Sequence, residues 1–249
     1  MAAPYIAHVT RSPDAVLDPA SFPGNLPFVQ RLDLRLTAPV TFFVGENGSG
    51  KSTLLEAIAV HSGFPISGGS SNEIGSFEAV QEESQLADAL RIGFNRRPKD
   101  GYFFRAELQA QFASLLDARK ADPEFGADPY KRYGGRSLHR MSHGEAFLSV
   151  MKNRFGGGLF ILDEPETALS PKRQLTLLAL MYDLTRAGNT QFLIATHSAI
   201  LLTYPEARIV SFDDVTLPSV ALEETEHYQI TSGVLRNPEG YWKHLRGSP

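Results

Sequence analysis

The 249-residue chain contains no cysteine, which excludes disulfide bonds and thiolate metal sites. No uninterrupted apolar run approaches the roughly 18 residues that a membrane-spanning helix needs, and no charged-then-apolar signal segment opens the chain. Basic residues are not in excess either: 24 Lys and Arg stand against 28 Asp and Glu, giving a net charge of −4. The molecule as a whole therefore does not carry the charge of a nucleic-acid-binding protein. We expect a cytoplasmic protein without membrane insertion, long enough to bury a sizeable core.

The most informative segment is a glycine turn between a buried-strand pattern and an apolar helix pattern. Residues 40–61 read VTFFVGENGSGKSTLLEAIAVH, with β-branched and aromatic residues before the turn and a predicted helix from Ser52. The turn at 45–52 matches the phosphate-binding P-loop pattern G-x-x-x-x-G-K-[ST] in the context that this pattern requires. The alternative, a strand-to-helix turn without a ligand, is disfavoured by that context.

The residues of this P-loop predict a nucleotide site. Its glycines let backbone N–H groups line one concave surface, and the following helix directs its positive dipole end there. Lys51 is predicted to contact the β- and γ-phosphates, and the Ser52 hydroxyl to bind the bridging Mg²⁺. Thr53 is predicted to pack in the helix or to contact the α-phosphate. The predicted nucleotide-binding residues of this segment are Gly45, Glu46, Asn47, Gly48, Ser49, Gly50, Lys51, Ser52 and Thr53.

A second buried-strand pattern, residues 159–162, ends in two adjacent carboxylates, Asp163 and Glu164. Ligands bind at the carboxyl ends of parallel strands, so these acids are expected beside the P-loop. Asp163 suits the Mg²⁺ shell, and Glu164 suits the base that polarises an attacking water. The alternative is that the two acids only begin a turn before Pro165.

A third pattern of this kind, residues 191–195, leads into Thr196 and His197. His197 is predicted to hydrogen-bond the γ-phosphate and to hold the attacking water. A structural role is the alternative for this histidine. Lys51, Glu164 and His197 together form the predicted catalytic set.

Ser142, Gly144 and Glu145 stand at the start of a predicted helix whose apolar residues recur at helical spacing. The serine hydroxyl, the glycine N–H and the helix dipole would make a second anion-binding end. Ser142 and Glu145 also have the spacing of a capping box, which needs no ligand.

The remaining segments predict a mostly regular α/β order. Short antiparallel strands are expected over 1–39, a helix over 77–90 and a helix over 107–120. Residues 91–105 carry five basic residues against one acid, and predict either a solvated loop or a surface for phosphate or a partner. Further elements are expected at 172–185 (helix), 198–202 (helix) and 208–212 (strand).

Taken together, the ordered motifs GENGSGKS, SHGE, ILDEPE, TALS and THS resemble the ATP-binding cassette superfamily over nearly the whole chain. The chain is most similar to small stand-alone ATPases described as ABC-type or AAA-type, whose core also occurs in SMC and double-strand-break-repair ATPases. The resemblance implies ATP and Mg²⁺ as ligands and a nucleotide-dependent homodimer. In that dimer Ser142 and Gly144 of one copy would complete the P-loop site of the other.

The chain departs from the family pattern at three places. Residues 141–145 read MSHGE where the family has Leu-Ser-Gly-Gly-Gln, and Ser170 stands where the family has aspartate. The glutamine that senses Mg²⁺ in the family has no obvious counterpart, so Glu107 is the predicted substitute, with Gln109 and Gln111 as alternatives. The adenine-stacking aromatic is expected among Phe28, Phe22 and Tyr5, each of which can instead be a core residue.

These observations predict an α/β P-loop ATPase with a mainly parallel sheet, an antiparallel N-terminal layer and a helical subdomain. The expected division is a nucleotide-binding lobe (1–106 and 158–249) and a helical lobe (107–157). A nucleic-acid motor, a nucleotide-gated module that controls an effector protein, and the ATPase subunit of a transporter remain alternatives for its use. A GTPase is disfavoured, because the guanine-reading motif Asn-Lys-x-Asp is absent. Acidic residues near His227 suggest either a solvated turn or a metal site.

Overall fold

The computed structural model describes residues 3–66, 68–70, 84–106, 109–154 and 156–246. The strands in this part of the chain are β1 (Ile6–Arg11), β2 (Asp33–Arg35), β3 (Val40–Val44), β4 (Leu90–Phe94), β5 (Gly101–Arg105), β6 (Gly158–Asp163), β7 (Thr190–Ala195), β8 (Arg208–Ser211) and β9 (Ser219–Val220). The helices are α1 (Lys51–His61), α2 (Gln109–Ala121), α3 (His143–Arg154), α4 (Pro171–Arg186), α5 (Glu226–Arg236) and α6 (Pro238–Leu245).

The central sheet has the order β5-β6-β7-β3-β8-β9. Its first five strands are parallel, and β9 pairs with β8 in the antiparallel sense. Strands β3, β6 and β7 are buried along their whole length, as expected for parallel strands covered on both faces. Since these three strands are neighbours, the P-loop, the acid pair and His197 leave the sheet at one edge, side by side.

The N-terminal strands form a separate antiparallel sheet with the order β2-β1-β4. This confirms the predicted antiparallel layer, but its third strand corrects the prediction of a helix over 77–90. Residues 71–83 lie outside the described part; the described end is a short 3-10 turn over Ala87–Ala89, and Leu90 begins β4. Pairing with β1, in which Val9 faces Ile92, outweighs the local helical pattern because it completes the layer.

The two faces of the central sheet are covered differently. One face, with Phe43 and Phe103, packs against α1 and the antiparallel layer. The other face, with Phe42 and Phe104, packs against side chains of α2, α3 and α4. Adjacent phenylalanines thus point to opposite sides, as the pleat of a strand requires.

The remaining helix predictions hold with one exception. The predicted helix at 107–120 is α2, although residues 107 and 108 are not described. The helix predicted at 198–202 is wrong, because the chain forms only a 3-10 turn over Leu201–Thr203 and Tyr204 precedes a proline, which disfavours the helical conformation. In the described part of the chain, no helix combines the length and the apolar character needed to cross a membrane.

Candidate functional site

The P-loop between β3 and α1 has the backbone of an anion cradle. Gly45, Gly48 and Gly50 have φ values of 140°, 81° and 94°, which residues other than glycine rarely adopt. A Cβ added to Gly50 would lie 2.8 Å from Phe28 Cε1, so the loop runs directly against a buried aromatic ring. This contact fixes the loop on one side.

Lys51, the first residue of α1, is folded back into this loop. Its Nζ donates to Gly45 O at 2.7 Å, to Glu46 O at 2.9 Å and, more weakly, to Ser49 Oγ at 3.4 Å. Burial lowers the pKa of this ammonium group, and the carboxylates of Glu164 and Asp213 oppose that effect. The cation is thus desolvated inside the loop.

Ser52 and Asp163 meet at the start of α1. The Ser52 hydroxyl donates to Asp163 Oδ1 at 3.0 Å. Asp163 is only 4% exposed, and burial raises its pKa to about 6 against the lowering effects of Ser52 and of the Arg105 guanidinium. Arg105 faces Asp163 across the β5–β6 pair and forms an ion pair with Glu56 at 2.7 Å. Two hard oxygen ligands therefore lie together beside a phosphate cradle.

Glu164 has the left-handed backbone conformation, with φ 48° and ψ 54°. Its N–H donates to Ala195 O on β7 at 3.0 Å, which fixes this turn. The side chain stays 40% exposed and lies 3.6 Å from His197 Nε2. Strained backbone of this kind concentrates at functional sites, and here it places a solvent-reachable carboxylate next to the buried Asp163.

His197 is held from two directions. Its N–H donates to Glu166 Oε1 at 2.5 Å, and its Nδ1 lies 2.8 Å from His227 Nε2 on α5. Burial, followed by the positive charge of Lys51, lowers the pKa of His197, so its ring is neutral at pH 7. His197 Nε2 is buried and has no hydrogen-bond partner among the described residues. Because a carboxylate can only accept, the neighbouring Glu164 favours the tautomer in which this nitrogen carries the proton.

Ser142 and Glu145 form the predicted capping box. Ser142 N donates to Glu145 Oε2 at 2.9 Å, and Glu145 N donates to Ser142 Oγ at 3.4 Å. Arg173 on α4 donates to Ser142 Oγ at 3.0 Å, and a Cβ on Gly144 would lie 2.7 Å from Ala168 O. No hydrogen bond or ion pair among the described residues joins Ser142 or Gly144 to the P-loop. These two residues sit against α4, whereas α1 packs among β4, β6 and β7.

The structure narrows the candidates for the adenine-stacking residue. Phe28 and Tyr5 are buried in the core, whereas Phe22 is 55% exposed. Phe22 lines a cavity of about 390 Å³ together with Thr53 and Glu56 of α1. The predicted Mg²⁺ sensor, Glu107, lies outside the described residues, and Gln109 and Gln111 are in α2.

Three residues of the site were not predicted. Asp213, which follows β8, accepts from Glu46 N at 3.0 Å and so fixes the P-loop to the neighbouring strand. It could have been found as a polar residue that directly follows a buried strand, which is how Asp163 and His197 were predicted. Glu166 follows Pro165, and burial raises the pKa of its carboxyl group. His227 lies on α5, 30 residues beyond His197. The described residues contain no group of three or more His, Asp and Glu placed to hold a metal ion.

Two family models match the chain. One, an AAA domain described as a proposed AbiEii toxin of a type IV toxin–antitoxin system, matches residues 86–203. The other, an AAA domain, matches residues 22–116. Both matches include parts of the site or of the sheet that carries it.

The decisive similarity is to ATP-binding proteins. The aliphatic sulfonates import ATP-binding protein SsuB of Corynebacterium glutamicum is 30% identical over 182 residues, covering 70% of this chain and 69% of that protein. The chain belongs to the ABC-type ATPases. The hemin import ATP-binding protein HmuV of Streptomyces coelicolor is 29% identical over 202 residues, covering 74% of this chain and 69% of that protein.

Solved structures support the same fold for this ABC-type ATPase. UvrA2 from Deinococcus radiodurans gives a TM-score of 0.56 at 14% identity, covering 95% of this chain and 41% of that chain. MJ1267, an ATP-binding cassette of an ABC transporter, gives a TM-score of 0.52 at 15% identity, covering 93% and 96%. The predicted fold class is thereby confirmed.

Proposed function

We propose that this ABC-type ATPase hydrolyses ATP to ADP and phosphate in a homodimer that completes each site in trans. The observation that carries the proposal is that Ser142 and Gly144 contact Glu145, Ala168 and Arg173, and that no hydrogen bond or ion pair among the described residues joins them to the P-loop of the same chain. A solvent-exposed helix N-terminus with a hydroxyl and a closely packed glycine is a ready anion-binding group, but it has no phosphate to bind within its own chain. A second copy related by a two-fold axis would bring it to the nucleotide.

The residues present fit ATP and Mg²⁺. The glycine cradle excludes side chains, and His197 Nε2 is a buried donor without an acceptor among the described residues. Ser52 and Asp163 provide the few hard oxygens that Mg²⁺ takes from proteins when phosphates supply others. When bound there, Mg²⁺ would supply Lewis-acid stabilisation of charge on the phosphates.

The protein groups then divide the chemistry. Lys51 leaves its carbonyl partners and donates to the phosphates, since a charged acceptor forms the stronger hydrogen bonds. Glu164 accepts the proton of the water that attacks the γ-phosphorus, while the bond to the leaving ADP oxygen breaks. The neutral His197 donates from Nε2 to a γ-phosphate oxygen and holds the water in line. Phe22 stacks on the adenine ring, and the helical region 107–157 carries Ser142 as a separate lobe.

The trans arrangement is tested by mixing two inactive variants. Lys51→Ala disables the P-loop. Ser142→Phe places a bulky side chain in the segment 141–145, which the second copy would bring to the nucleotide. Because Ser142 is exposed, the free chain should tolerate this change. A heterodimer of the two has one site with both defects and one site with none. Random mixing at equal amounts is therefore expected to restore roughly a quarter of the wild-type phosphate release, because half of the dimers each hold one intact site.

A sample of each variant alone, at the same total concentration, is the control and should be inactive. Light scattering on the same mixtures in ATP·Mg²⁺ shows whether dimers form. Absence of recovery in a mixture that does dimerise would contradict the trans site, and activity in the Ser142→Phe variant alone would contradict the role of Ser142.

A second use of the ATPase is favoured by the C-terminal helices. Leu235, Trp242 and Leu245 on α5 and α6 are 76%, 58% and 71% exposed. Helix α5 also carries His227, which contacts His197. Helix α5 thus carries both an exposed apolar residue, Leu235, and the contact with His197, the predicted γ-phosphate ligand. This arrangement fits a nucleotide-gated module that controls an effector partner. A transporter component is the alternative partner, because the relatives named above are import ATP-binding proteins.

We expect His227→Ala to reduce turnover by about tenfold with little change in KM for ATP, because the variant leaves His197 free to rotate without removing a phosphate ligand. Trp242 is the single tryptophan of the chain, so its emission reports on α6 directly. ATP·Mg²⁺ should shift this emission in the wild type and not in the variant. His244→Ala, an exposed histidine on α6, is the matched control; equal effects of both changes would contradict the positioning role.

A further inference from the structure

The basic segment 96–99 lines a pocket at the edge of the sheet opposite the P-loop. The pocket, of about 330 Å³, is lined by residues just before the amino ends of three parallel strands: Asp100 before β5, Gly156 and Gly157 before β6, and Asn189 before β7. The nucleotide residues follow the carboxyl ends of the same strands. Strands of five or six residues separate the two places by roughly 17–20 Å.

Three cations form the walls of this pocket, namely Arg96, Arg97 and Lys99. The Arg96 guanidinium lies 4.8 Å from the ring centre of Tyr5, and that of Arg97 lies 4.6 Å from the ring centre of Phe94. Stacking fixes the plane of each guanidinium without using all of its N–H donors. Arg97 also donates to His61 O at 3.3 Å. Within the described part of the chain, none of the three cations forms an ion pair.

The floor of the pocket is backbone and amide. A Cβ on Gly157 would lie 2.4 Å from Asn189 Nδ2, and φ there is 126°, so only glycine leaves this amide uncovered. Asn189 O accepts from the Tyr5 hydroxyl at 2.8 Å and from Gly158 N at 2.9 Å, which fixes the floor to β1 and β6. Asp100, the one carboxylate among the described lining residues, accepts from Gly101 N at 2.8 Å. The charge of the lining side chains is therefore positive in a protein whose net charge is −4.

We propose that this pocket is a second phosphate-binding site, independent of the ATP site, and that its ligand is a phosphate group of a nucleic-acid backbone or of a free phosphate compound. Planar guanidinium groups match the tetrahedral phosphate with paired hydrogen bonds, and Lys99 adds a point charge. Exposed Arg91 lies near the start of β4 and does not line the pocket. The basic segment of the sequence is thereby a ligand surface and not only a solvated loop.

The test uses the full chain with Lys51→Met, so that the ATP site does not bind the probes, and without nucleotide. The probes are a labelled single-stranded oligonucleotide, followed by anisotropy, and inorganic pyrophosphate, followed by calorimetry. In this background Arg96→Ala with Lys99→Ala should weaken binding by about tenfold or more, and the salt dependence of oligonucleotide binding should fall by about one unit of slope for each cation removed. Arg91→Ala, in the same basic segment but outside the pocket, should retain the binding.

Each outcome is informative. Oligonucleotide binding lost in the double variant supports the pocket with a nucleic-acid ligand; pyrophosphate binding alone, lost in the same variant, supports it with a free phosphate compound. Binding of neither probe, or equal binding by the double variant and its parent, overturns the proposal. Because Arg96 contacts Tyr5, Lys99→Glu alone is measured as well, with its melting temperature, so that a loss of binding is separable from a loss of fold. The ATPase proposal is untouched by a negative result, since the ATP site is disabled throughout.

Discussion

Replacing Glu164 with glutamine is expected to reduce ATP turnover by about 10²- to 10⁴-fold while ATP binding is retained. Glutamine keeps the shape and the backbone of the turn after β6 but cannot accept the proton of the attacking water. The ATP-bound dimer should therefore accumulate, because the step that ends it is blocked. Phosphate release and light scattering in ATP·Mg²⁺ measure both effects on one sample.

The control for this experiment is Glu166→Gln. Burial raises the pKa of Glu166, and its carboxylate contacts His197 N, so it supports the loop and does not face the solvent side of the site. This change should reduce activity without trapping a dimer. A Glu164→Gln variant that still turns over ATP at the wild-type rate, or one that stays monomeric in ATP·Mg²⁺, would remove Glu164 from the role of base.

The second large effect is expected for Lys51→Met, which should abolish the stabilisation by ATP·Mg²⁺. At a hundredfold excess over Kd, a ligand stabilises the folded state by about 2.7 kcal/mol, which corresponds to roughly 5–10 °C in melting temperature for a chain of this size. Lys51 is the cation closest to the cradle, and its loss leaves the β- and γ-phosphates without a charged donor. Thermal unfolding with and without ATP·Mg²⁺ measures the change.

The melting temperature of the unliganded Lys51→Met protein should change little, in contrast to its nucleotide response. Lys51 is 4% exposed and burial lowers its pKa, so the free protein holds a desolvated charge at some cost. Methionine fills the space of the side-chain stem, and Glu46 O still accepts from Ser49 N. Lys172→Met, at an exposed lysine in the first turn of α4, is the matched control and should respond to ATP like the wild type. A Lys51→Met protein that keeps the full ATP-dependent shift would contradict the assignment.

The parts of the site that the sequence predicted are those set by local rules. A buried strand followed by a polar residue placed Asp163 and His197 correctly at one edge of the sheet, because parallel strands bring their carboxyl ends together. The Ser142 capping box was predictable for the same reason, since it depends on residues three apart. The roles of these residues in catalysis remain predictions.

The parts that were missed depend on contacts between distant segments. His227 has no motif of its own, and its meaning comes only from the packing of α5 beside His197. Strand β4 was hidden because exposed Arg91 and Gly93 interrupt its apolar pattern, and only pairing with β1 defines it. The 3-10 turn over Leu201–Thr203 replaced a predicted helix because a proline follows at position 205. At each of these places, contacts between distant segments or a helix-ending proline outweigh the local propensity.

The proposed trans site would make turnover depend on protein concentration in the cell. If each copy holds only half of each site, as proposed, the activity per molecule depends on the abundance of the protein itself. At low copy number the protein would bind ATP and remain idle, and doubling its expression would raise total turnover by more than twofold until the dimer saturates. Gene dosage itself would then set the threshold at which this ATPase becomes active.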